Sequence, residues 1–286
     1  MRKRPPHLYF VVSAVFHYLG PSFAVLLFAR IQVLGVAWIR IASAAVILWL
    51  WRRPRAKLTP TLMAWGAVLA GMNAVFYLAI DRLPLGTVAA IEFLPVIALA
   101  ALGARTPRNV AALALAVAGV YLLTDVRLAG EALGFLFAFA NAVLFALYIV
   151  LGHRVSRTEG LDGIDGLALS MIVALVVSTP IGGWQAVPAF TDPVALAAGI
   201  GVGICSSVIP YVSDQLAMAR LPRATYSLMV ALLPAVATVV GVVVLAQVPT
   251  APEVAGVALV VAAVAVHQER ATDESPVPSV PDPAPG

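Results

Sequence analysis

The chain has 286 residues, of which 62% are hydrophobic and 11% charged, and its mean hydropathy is +0.98. Soluble domains carry about 25% charged residues, so this composition excludes an ordinary soluble enzyme and indicates a chain solvated by lipid. The net charge of +4 does not mark a nucleic-acid binder, because the basic residues fall in short loops between apolar runs.

A helix needs roughly 20 apolar residues to cross a bilayer, and ten segments qualify: Leu8 to Phe28, Val33 to Trp51, Thr61 to Ile80, Pro84 to Gly103, Asn109 to Thr124, Gly130 to Leu151, Gly166 to Ala186, Val194 to Met218, Ala224 to Ala246 and Pro252 to His267. The fifth and tenth are short. The first is not expected to be a cleaved signal, since its apolar stretch is long, no small-x-small site follows and more spans come after. Two segments are expected outside the membrane: the polar connector Gly152 to Asp165, and the Pro- and Asp-rich tail from Ala271 to Gly286, which reads as disordered. Asp162 and Asp165 flank a Gly-rich turn that lacks the repeated oxygen ligands of a calcium loop.

With the N-terminus inside, the outer loops hold only Arg30, Arg82 and Arg127, and Arg40 lies within the second helix; all the other Lys and Arg residues fall inside. That asymmetry satisfies the positive-inside rule with both termini cytoplasmic. The Leu83-Pro84 turn between apolar segments recurs as Leu221-Pro222, once outside and once inside. The expected fold is therefore an all-α membrane protein of ten transmembrane helices in two inverted five-helix repeats, residues 1–128 and 129–270, followed by the tail 271–286. Inverted repeats place a solute site near the midplane at their interface.

Polar groups within the spans are the candidates for that site, because an ionised side chain at depth costs roughly 2.5 to 3.5 kcal/mol on insertion scales. Arg40, Glu92 and Asp214 stand out. Glu92 lies roughly 12 Å along the fourth helix at about 1.5 Å per residue, near the midplane. It reads either as a titrating or solute-binding carboxylate or as the structural ion-pair partner of Arg40. Asp214 shares a helical face with Tyr211, just after Pro210, which leaves a backbone carbonyl without its usual donor; pairing with Arg220 at the interface is the alternative. Asn73 and Tyr77 are spaced i, i+4, and Asn141 and Tyr148 seven apart, so each pair shares a face, for a solute or for helix contact. His17 beside Tyr18 either relays protons or packs.

Other motifs point away from chemistry. Gly199, Gly201 and Gly203 follow no strand, and Gly199 with Gly203 has the small-xxx-small spacing of close helix contact. Cys205 is the single cysteine, which rules out an internal disulfide or a multi-cysteine zinc site. Neither an HExxH nor a Walker A pattern occurs. No metal, no cofactor and no enzymatic activity are expected.

The stretch GMNAVFYLAIDRLPLGTVAAIEF, Gly71 to Phe93, resembles the signature region of the threonine/homoserine exporter branch of the drug/metabolite transporter superfamily, built from two EamA-type repeats. Arg40 in AWIRIASAAVIL, FALYIV from Phe145 and IPYVSDQLAMARLP from Ile209 extend the resemblance. Where similar proteins carry glutamates before the ninth-helix proline and near that helix's end, this chain has Leu233 and Gln247, which leaves proton coupling to Glu92 or Asp214. The resemblance implies an inner-membrane exporter driven by an ion gradient; the expected mechanism is alternating access, in which a small amino acid leaves in exchange for an entering proton. Its partners would be that solute, protons, membrane lipids and, in a homodimer, a second copy of the chain. An exporter of another metabolite or of a hydrophobic drug is the alternative; a lipid scramblase or another non-transporting membrane protein is the alternative of a different class.

Overall fold

The computed structural model describes residues 6–95, 98, 106–125, 128–156, 161–210, 212–213 and 232–266. Among these there is no strand, and the helices are α1 Pro6–Leu27, α2 Val33–Arg52, α3 Pro60–Ile80, α4 Leu85–Glu92, α5 Pro107–Asp125, α6 Leu128–Ser156, α7 Gly163–Ser178, α8 Pro193–Gly203, α9 Leu233–Leu245 and α10 Ala251–Val266. Helix α7 runs on through a π turn, Thr179–Gly183, and a 3-10 segment, Trp184–Thr191; α8 runs on through a π turn, Ile204–Val208. By length and apolarity, four helical stretches can cross a membrane outright: Val33–Arg52, Pro60–Ile80, Glu131–Gly152 and Gly163–Thr191. Shorter apolar helices include Val11–Leu27 and Pro193–Val208. Large apolar side chains point outward in mid-helix, with Val143 64%, Val176 67% and Val243 77% exposed. In water such a surface would aggregate; against lipid it is the stable arrangement.

Helix ends follow local chemistry. Thr59 accepts the N–H of Leu62 at the start of α3, and Asp162 accepts that of Ile164 at the start of α7. The polar connector is shorter than its composition suggests, since α6 continues to Ser156 and α7 begins at Gly163. Asp162 and Asp165 are occupied by Arg52 at the end of α2, with 2.8 Å between Arg52 Nε and Asp165 Oδ1. At the other end of the bundle Arg30 meets Asp192 at 3.0 Å. Each pair joins residues that the charge pattern assigns to one membrane side.

Helix α4 is regular only over Leu85–Glu92. Pro95 has no N–H for the carbonyl of Ile91, four residues earlier, and the N–H of Phe93 takes it instead. The expected span to Gly103 is thus interrupted at Phe93, and residues 94, 95 and 98 are helical again; residues 96–97 and 99–105 lie outside the described residues.

Packing runs across the two halves of the chain. Helix α2 lies on α7, α4 on α9 and α5 on α10; α3 contacts α6 and α7, while α8 and its π turn contact α1 and α2; α4 contacts α6 as α9 contacts α1. Renumbering every helix by five maps these contacts onto one another, whereas α4 on α10 and α6 on α7 have no counterpart as extensive. Gly199 packs against Ile39 and Gly203 against Ser43 and the Arg40 carbonyl, so the small-xxx-small face does bring α8 onto α2.

Candidate functional site

Two apolar clusters fill the bundle, and they meet at a polar seam. On α2, Val36 to Ile39 belong to one cluster and Ile41 to Leu48 to the other, with Arg40 between them. On α3, Leu62 to Ala70 and Phe76 to Ile80 are divided in the same way, with Asn73 between. Val202 and Val208 flank Ser206 and Ser207 likewise. Arg40 is 7% exposed and Glu92 6%, and Asn141, Ser206 and Ser207 are equally enclosed, so the seam is occluded.

Arg40 is held by the π turn of α8. Its Nε donates to Ser207 Oγ at 3.1 Å and its Nη2 to the Ser206 carbonyl at 3.1 Å. Pro210 explains that carbonyl's availability: it has no N–H to offer the residue four positions earlier, which is Ser206. The guanidinium also sits over the Tyr77 ring, 5.5 Å from its centroid, as a cation over an aromatic quadrupole. The Tyr77 and Ser206 hydroxyls lie close to each other and to this cation, yet neither makes a well-formed hydrogen bond.

Glu92 lies between Ile91 and Phe93 of the first apolar cluster, and its Oε1 accepts Asn141 Nδ2 at 3.2 Å. The Oδ1 of Asn141 is buried without a partner. Among the described residues no ion pair joins Glu92 to Arg40; the ion pairs there involve Arg30, Arg52 and Arg82. Of the two readings of Glu92, the structural ion pair with Arg40 is therefore not formed here, and two of the guanidinium's donors go to the π turn instead. On α1, His17 and Tyr18 meet edge-to-face at 5.2 Å. The Tyr18 hydroxyl is buried without a partner.

The remaining expected residues divide. Asn73 lies in the seam, but its Nδ2 donates to the Leu69 carbonyl of its own helix at 2.8 Å, so it does not pair with Tyr77. Tyr148 lies apart, stacked on Trp65 at 5.4 Å and on Phe145 at 6.4 Å, and Phe145 in turn meets Phe93 beside Glu92. Tyr211 and Asp214 lie outside the described residues. Ser206, Ser207 and Pro95 were not singled out as site residues by sequence; the Pro95 signal was available, a proline three residues after a carboxylate inside an apolar run. A shallow groove on α5, lined by Val110, Leu113, Val117 and Tyr121 among others, is apolar and exposed, as a lipid-facing surface is.

A solved crystal structure superposes with a TM-score of 0.56 at 19% identity, covering 92% of this chain and 96% of that one, and this likeness shows the fold alone. Apolar helices around a buried polar seam define a multi-pass membrane protein. The EamA-like transporter family matches residues 132–267, and the threonine/homoserine exporters RhtA of Escherichia coli K12 and Salmonella typhimurium LT2 are each 31% identical over 257 residues, 85% of this chain and 84% of theirs. The chain belongs to the EamA-like transporter family, and it is a membrane transporter rather than an enzyme.

Proposed function

We propose that this chain exports a small amino acid of the threonine or homoserine kind across the inner membrane, in exchange for an entering proton. The observation that carries this reading is the pair of buried, opposite charges, Arg40 and Glu92, each held by neutral groups and neither neutralising the other. A zwitterion matches them: its carboxylate meets Arg40 and its ammonium meets Glu92. When the solute leaves, a proton on Glu92 replaces the lost positive charge, which couples the two fluxes. A buried, unpaired carboxylate in a membrane span is a functional candidate on energetic grounds alone.

Alternating access is the accompanying mechanism. The halves 1–128 and 129–270 act as inverted five-helix repeats with both termini cytoplasmic, and the tail 271–286 is cytoplasmic. The self-mapping packing of helices five apart supports this reading, as does the family match at residues 132–267. In the occluded form Arg30–Asp192 closes one end and Arg52 with Asp162 and Asp165 the other. Helix α4, interrupted at Phe93 beside Glu92, supplies the discontinuity that transporters of this kind place at their solute sites.

The test is efflux of labelled threonine and homoserine from proteoliposomes, with and without an imposed pH gradient. Gradient-dependent efflux that is lost in Glu92→Gln supports the reading. If neither solute moves while another metabolite or an apolar drug does, the amino-acid assignment is wrong.

A further inference from the structure

We infer that the π turn Ile204–Val208 is the solute-binding element of the second half, with Ser206 Oγ and Tyr77 OH donating to the carboxylate that Arg40 attracts. This rests on the reading of Arg40 as the carboxylate anchor and assigns the donors around it. Arginine offers five N–H groups, of which Arg40 spends one on Ser207 and one on the Ser206 carbonyl, leaving capacity for an anion. Ser206 is 1% exposed and Tyr77 0%; the Tyr77 hydroxyl lies within reach of the Ser206 hydroxyl and of Arg40, and neither hydroxyl makes a hydrogen bond of full geometry. A carboxylate there meets one cation and two hydroxyl donors, drawn from α2, α3 and the π turn, and hence from both halves of the chain.

Local geometry shows that this turn is placed deliberately. Gly20 of α1 lies so close that a Cβ there would stand 2.7 Å from Ser206 N, and a Cβ at Gly203 would stand 2.9 Å from the Arg40 carbonyl. The turn is thus wedged between α1 and α2 at two positions where no side chain fits. Pro210, four residues on, offers the Ser206 carbonyl no N–H, and that carbonyl accepts from the guanidinium. Solute binding and the packing of the turn therefore share the same atoms, and occupancy of one changes the other.

Cys205, the single thiol of the chain, sits in this turn and is half-buried. The experiment measures its alkylation by N-ethylmaleimide in the purified full chain, titrated with threonine and separately with threoninol, which lacks the carboxylate. Threonine is expected to change the rate in the wild type and threoninol to leave it unchanged. In Ser206→Ala and in Tyr77→Phe the half-effect concentration of threonine should rise about tenfold, the scale of one lost hydrogen bond to a charge. The KM for threonine efflux should rise by the same factor, with the maximal rate retained. If both variants titrate and transport like wild type while Arg40→Lys loses its response, the inference is overturned and the anchoring role of Arg40 stands. If threonine neither alters alkylation nor is transported, the functional reading falls, and this inference with it.

Discussion

Two buried carboxylates of this chain behave in opposite ways. Glu253, 2% exposed at the start of α10, accepts the Thr250 N–H at 2.8 Å and the Thr250 hydroxyl at 3.0 Å, closing a capping box of the Thr-x-x-Glu kind. Its neighbour Gln247 uses its side-chain oxygen to accept the first N–H of α4, that of Leu85, at 3.1 Å. Glu92, 6% exposed, receives one amide from Asn141, and beside it the helix is interrupted. Burial alone therefore says little about role. What separates the two is whether the local backbone consumes the charge: at the end of α10 it does, and in the seam it does not.

The sharpest break in this comparison is Glu92→Gln against Glu253→Gln. The first should abolish gradient-driven efflux, a loss of at least about 100-fold given that the proton site is removed, with the folded protein retained on size-exclusion chromatography. The second should leave efflux near wild type, because glutamine also closes a capping box. Arg40→Ala should cost about 2–4 kcal/mol of solute affinity, seen as a raised KM, through the loss of a charge-assisted contact. Gln247→Ala should lower thermal stability by about 1 kcal/mol, the value of one helix N-cap, without changing KM. The smallest effect belongs to the exposed end of the bundle, where the Ala195 N–H, then Arg30 and the Val194 N–H, hold the Asp192 carboxyl below its ordinary value of 3.8. A depressed native value means that its contribution is complete above the ordinary value and disappears as pH falls through the native one. Thermal unfolding of wild type and Asp192→Asn should therefore differ near neutrality and converge in strong acid.

Much of the architecture was legible because membrane physics leaves few alternatives. Apolar length and the Lys/Arg asymmetry implied helices that begin close to where they were expected, apart from the ninth, whose expected start at Ala224 lies outside the described residues, and Arg30–Asp192 and Arg52–Asp162 join residues placed on the same side by that asymmetry. Glu92 and Arg40 stood out because charge at depth is expensive. Their partners did not. Ser206 and Ser207 look like any small residues in a Gly- and Ile-rich helix, and only the three-dimensional approach of α2, prepared by Pro210, turns a backbone carbonyl into a ligand for Arg40. Tyr148 shares a helical face with Asn141, as the spacing indicated, yet that face runs past the seam into an aromatic stack with Trp65. Periodicity reports the face of a helix and not how far along it the site extends.

The central claim is that Glu92 carries the proton that exchanges for the solute. It is tested most directly by following the internal pH of proteoliposomes with a trapped dye while threonine leaves. The account predicts acidification that tracks threonine efflux in the wild type and vanishes in Glu92→Gln. Threonine efflux with undiminished acidification in Glu92→Gln would contradict it.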